Sequence, residues 1–157
     1  MKIVKKILIL LLVIFVIAQF FGPEKNTGDY SSLEGFITET NPPENVQKIM
    51  KESCFDCHSN NTKYPWYFNV TPVNYWIAEH IEDGKKHLNL SEWSTYSLKK
   101  KEHKMDELYE EVEKGEMPLD SYTWTHGEAN LTQEQIDAIV TWGKKVQADY
   151  KMQMQTN

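Results

Sequence analysis

The 157-residue chain contains no arginine; its 17 basic residues are all lysine, set against 23 acidic ones, for a formal charge of −6. Nucleic acid is excluded as a partner on that balance, because neutralising phosphates takes a basic face. Cysteine is nearly absent as well. The chain has two, Cys54 and Cys57, and no other thiol. There is no internal repeat and no segment with a convincing strand pattern. Nothing resembles a substrate pocket with paired carboxylates, so no catalytic residue is expected and the chain does not read as an enzyme.

What is present is apolar and aromatic. Apolar residues make up 40% of the chain and aromatic ones 12%, enough for one globular domain. Five tryptophans are spread along it. Such side chains fill a core or wall a flat apolar ligand. Lys2, Lys5 and Lys6 precede an apolar run from Ile7 to Phe21. A basic flank before an apolar run is an export signal. Cleavage after Ala18 lacks an A-x-A pattern, so residues 1–22 are expected to stay as a transmembrane signal anchor. That would place the rest on the periplasmic side of the bacterial inner membrane. A cleaved, soluble periplasmic form is the alternative.

Residues 23–41 read as a linker, residues 42–150 as the domain and 151–157 as a polar tail. Pro42-Pro43-Glu44 opens a helix whose apolar face holds Val46, Ile49 and Met50 and which runs into Cys54. Thr71-Pro72 starts a second, with Val73, Trp76, Ile77, His80 and Ile81 at helical spacing and Gly84 as its C′ residue. Ser97 caps a third, which ends at Gly115. Thr132 and Gln135 form a capping box for the last. The fold is expected to be all-α, about four helices joined by long loops.

The stretch "CFDCH", Cys54 to His58, carries the chemistry. Positions i, i+3 and i+4 share a helix face. Two thiols and an imidazole at that spacing suit covalent attachment of one c-type haem, with His58 as an axial ligand. A thioredoxin-like site needs a βαβ context, and structural zinc needs a second ligand pair. A disulfide across two residues closes almost no loop. Phe55 and Asp56 are expected to matter little. "YPWYF" follows within a dozen residues, and Trp66 and Tyr67 are expected against the haem.

From Val46 to Trp142 the chain resembles the bacterial haem-binding domain family of small exported c-type proteins. The resemblance rests on "CFDCHS", on "TKYPWY" and on Pro72-Val73. His80, Gly84-Lys85 and "LNLSEW" continue it, as do Gly115-Glu116-Met117-Pro118 and His126 before Leu131-Thr132. Lys85 stands where the family often has arginine and Leu90 where it often has phenylalanine. The resemblance implies haem binding. Wider similarity to class I cytochromes c implies a helix entering the motif, a last helix crossing it and a Met-Pro loop supplying the second axial ligand.

The expected function is a one-electron carrier held at the membrane and serving a redox partner protein. The alternative is a haem-based sensor or peroxidase-like enzyme with an open distal position. Met117, a loop methionine before proline, is the expected sixth ligand. His80, on an apolar helix face, and His126, in a loop, are its rivals. His87 and His103, among charges, are expected to be solvated.

Overall fold

The computed structural model describes residues 2–156. Its α-helices are α1 (Lys2–Ala18), α2 (Glu34–Thr40), α3 (Glu44–Ser53), α4 (Phe55–His58), α5 (Val73–His87), α6 (Leu98–Glu113), α7 (Asp120–Thr123) and α8 (Gln133–Thr156). Short 3-10 turns lie at Tyr30–Leu33, Trp66–Asn69, Leu90–Thr95 and Gly127–Ala129. No strand occurs among the described residues, where an isolated bridge pairs Thr27 with Asn61.

The transmembrane anchor expected at residues 1–22 is not there. No described helix is long and apolar enough to cross a membrane, which overturns both the anchor and the inner-membrane location built on it. The physical reason is length. The 17 residues of α1 rise about 26 Å, short of a hydrocarbon core of about 30 Å, and Lys5 and Lys6 fall within them. Gln19 then ends the helix. Its amide donates to Phe15 O at 2.8 Å and accepts from Thr71 N at 2.9 Å. The side chains of α1 are exposed up to Ile17, and none is buried in the core.

The segment read as a linker is built into the domain. Leu33 and Phe36 are fully buried. Phe36 meets Trp93 and Trp142 edge-on, with ring centroids 5.2 and 6.0 Å apart. Trp142 Nε1 donates to Thr40 O at 3.1 Å, holding α8 to the end of α2. Asn26 is a second anchor. Its amide donates to Ser59 O at 2.8 Å and Thr62 Oγ1 at 2.9 Å. It also accepts from Lys85 Nζ at 2.9 Å.

The core forms where α3, α6 and α8 meet the Leu90–Thr95 turn, around Val46, Met50, Trp93, Met105, Val112 and Ile139. Ser97 caps α6. The capping box of α8 is formed: Thr132 N donates to Gln135 Oε1 at 2.8 Å, and Gln135 N to Thr132 Oγ1 at 3.3 Å. α8 runs on to Thr156, through the residues read as a tail. Asn157 lies outside the described residues. Gly84 does not end α5, which continues to His87.

Candidate haem site

Cys54 to His58 form a single helical turn at the end of α3. Cys54 N donates to Met50 O at 2.9 Å, and Cys57 N and His58 N both return to Cys54 O, at 3.2 and 3.0 Å. Phe55 is buried in the core and pins the turn from below. Asp56 ties it sideways: Oδ1 accepts from Lys63 N at 2.9 Å and Oδ2 from Tyr122 O–H at 3.0 Å. The two residues between the cysteines therefore anchor the turn, a role their place in a variable spacer does not reveal.

α5 lies directly against this turn. A Cβ on Gly84 would stand 2.7 Å from Cys57 O, so only glycine permits the approach. Leu88, just past α5, takes the imidazole: His58 Nδ1 lies 3.0 Å from Leu88 O. A carbonyl only accepts, so the ring proton sits on Nδ1 and Nε2 keeps its lone pair, the arrangement that orients metal-binding histidines. Burial holds His58 below the ordinary histidine range, with the backbone bonds at Leu88 and Gly84 opposing it. Burial also pushes both thiols up to about 12, aided at Cys54 by Cys57 and at Cys57 by Asp56. Both stay S–H at neutral pH, unlike the thiolates of redox or zinc sites. No group of three or more metal-ligating side chains occurs among the described residues.

Two cavities flank the turn, of about 350 and 550 Å³. Cys54 lines the smaller and Cys57 the larger. Ser53, His58, His87, Met117 and Pro118 line both. The two share these five residues and so adjoin as lobes of one slot, with one thiol in each. Their lining falls into two groups, one from residues 50–90 and one from residues 104–139. Met117 belongs to the later group. Gly115, at φ 75°, turns the chain after α6, and Met117 N is held by Glu111 O at 3.2 Å. Both volumes fall within the range of small-molecule sites, roughly 300–1,000 Å³. A slot with two thiols, an imidazole Nε2 and a thioether sulfur fits a haem.

The other expected site residues are distributed as follows. Tyr67 lines the larger lobe; Trp66 lines neither and is 79% exposed. His80 and His126 both line the larger lobe. His80 Nδ1 lies 2.8 Å from Trp76 O, and His126 Nδ1 lies 3.1 Å from Tyr122 O. His126 also stacks on Tyr122 with ring centroids 4.1 Å apart. Burial, reinforced by Asp56, pushes the Tyr122 phenol up, so it remains a donor. Lys85 lines neither lobe and points to Asn26.

His87 is exposed, as expected, but sequence reasoning missed that it also borders the slot. It lines both lobes, not open solvent alone. The signal was available: His80, Gly84 and His87 fall at i, i+4 and i+7, one helix face. Reading Gly84 as a helix end removed His87 from that face. Glu107 and Glu111 of α6 also line the smaller lobe.

A family model described as a haem-binding domain matches residues 13–145, and the chain belongs to that family. It is a haem protein. No curated protein matches it, and no solved structure does.

Proposed function

We propose that the chain is a one-electron carrier holding a single c-type haem, fixed by thioethers from Cys54 and Cys57 and ligated by His58 Nε2 and the Met117 sulfur. The observation that carries this reading is that His58 and Met117 together wall both lobes, each of which holds one thiol. Haem with two protein ligands supplies an iron couple that exchanges one electron without needing an open position.

The residues divide the work. The Leu88 carbonyl holds the His58 ring by its Nδ1 proton and leaves Nε2 free to bind. Phe55 and Asp56 keep the turn rigid. Met117 comes from the later half of the slot lining, whereas His80 sits on α5, the helix that packs on the attachment turn through Gly84. Met117 borders both lobes, whereas His80 and His126 border only the larger, which favours Met117 and leaves the two histidines as its rivals. Methionine in that position raises the potential relative to histidine. With a formal charge of −6, the carrier suits a redox partner that presents a basic face.

The competing reading is a sensor or peroxidase-like enzyme. It is favoured by His80 and His126, two imidazoles whose Nδ1 is engaged and which border the larger lobe.

Two experiments test the proposal. Extraction with acidified organic solvent should leave the colour on the protein, and Cys57→Ser should leave at most the single thioether at Cys54. Wild type should show the far-red sulfur-to-iron band, absent in Met117→Ala and retained in His126→Ala. Colour extracted quantitatively from wild type defeats covalent attachment. Absence of the band, with rapid carbon monoxide binding by the reduced protein, favours the enzyme or sensor reading.

A further inference from the structure

The segment after Met117 has few ties to the half of the slot that carries the haem-attaching residues. Residues 117–130 contain only the short α7 and one 3-10 turn. Their hydrogen bonds are mostly local, such as Tyr122 N to Leu119 O at 2.9 Å and His126 N to Tyr122 O at 3.1 Å. Among the described residues, three bonds cross to the attachment side. Ser53 Oγ reaches Ala129 O at 3.4 Å, and Tyr122 O–H reaches Glu52 O at 3.4 Å and Asp56 Oδ2 at 3.0 Å. The last is the shortest and the only one to a carboxylate, the stronger kind of acceptor. Asp56 is itself fixed, because its other oxygen holds Lys63 N.

We propose that Tyr122, bonded to Asp56, is a positioning residue that latches the Met117 segment over the slot and so controls access to the position opposite His58. The proposal rests on the haem-slot reading, but not on Met117 being the ligand. Tyr122 lies five residues past Met117 and lines the larger lobe. Its ring carries His126 by stacking, and its carbonyl holds the His126 Nδ1. That hydroxyl is therefore the strongest bond between the attachment turn and the segment that carries both candidate ligands from the later half of the lining, Met117 and His126. Without that hydroxyl the segment keeps its packing and loses its tether to Asp56.

The test uses the full-length holoprotein and two variants, Tyr122→Phe and Asp56→Asn. Phenylalanine keeps the stack on His126 and removes only the donor. Carbon monoxide binding to the reduced protein is followed by stopped flow, and the far-red sulfur band is recorded on the oxidised protein. Tyr122→Phe is expected to bind carbon monoxide about tenfold faster or more, the size expected for losing a hydrogen bond to a charged group. Its sulfur band should weaken. Asp56→Asn should show the same direction, and the double variant should match Tyr122→Phe, because the two side chains form one contact. Unchanged carbon monoxide kinetics in Tyr122→Phe overturn the latch, even if its melting temperature falls, since a merely structural role moves stability and not access. If wild type has no sulfur band, the Met117 assignment fails while the carbon monoxide comparison still decides the latch.

Discussion

Gly84 shows how much of the site hangs on one missing methyl. A Cβ there would meet Cys57 O at 2.7 Å and Cys57 Cβ at 3.1 Å, and a backbone carbonyl cannot swing aside. Gly84→Ala is expected to push α5 off the Cys54–His58 turn, at a cost of about 1–3 kcal/mol. Leu88 would shift with the helix, and the His58 ring would lose the acceptor that orients it. The expected result is a lower melting temperature together with less haem per chain, read by thermal unfolding and haem content; normal values of both would show that the turn has room to yield. That Cys54, Cys57 and His58 gather on one helical turn was legible, because i, i+3 and i+4 share a face. Gly84 was visible but misread, since a glycine late in a helical stretch looks the same whether it ends the helix or lets another backbone come close. Tyr122 and Asp56 were illegible, because nothing in a sequence pairs a phenol with a carboxylate 66 positions earlier.

At the level of elements, α6 and α8 carry a buried polar seam within their packing. Tyr109 O–H donates to Asp106 and to Gln147 Oε1, and Gln147 Nε2 donates to Glu102 at 2.7 Å. The bond to Asp106, then burial, pushes the Tyr109 phenol up from 10.0 to about 12. The folded chain thus keeps a proton that the unfolded chain gives up. This contribution to stability is fully present below pH 10 and is lost as pH rises towards 12. Tyr109→Phe is expected to be less stable at neutral pH, and to lose less of its stability between pH 10 and 12 than wild type, as measured by denaturant unfolding across that range. Thr132→Ala, which opens the capping box of α8, should cost about 1 kcal/mol in the same assay. The long helices α3, α5, α6 and α8 were legible from apolar stripes and caps. α7 was not, because four residues are too few to show a stripe. α2 was hidden because glycine and serine surround its one buried aromatic, Phe36, and the pattern looks like a loop until Trp93 and Trp142 meet it.

For the whole molecule, the boundary of the folded unit lies earlier than composition suggests. Phe36→Ala is expected to cost about 3–5 kcal/mol, the range for deleting a buried aromatic. Removing residues 1–18 should leave the melting temperature unchanged, because α1 contributes no buried residue. Removing residues 1–41 should abolish cooperative unfolding, since it takes away Leu33, Phe36 and the Asn26 anchor. Calorimetry on the two truncations checks both statements. The division of the slot lining between residues 50–90 and 104–139 also sets an order of events. A ribosome makes the chain from its N-terminus, at about 5–20 residues per second. The thiols, His58 and the helix that steadies them are therefore complete while the covering half is still unmade. Because α3 and the Leu90–Thr95 turn find their core only in α6 and α8, the thiols wait some seconds, unhoused, for the rest of their slot to be made.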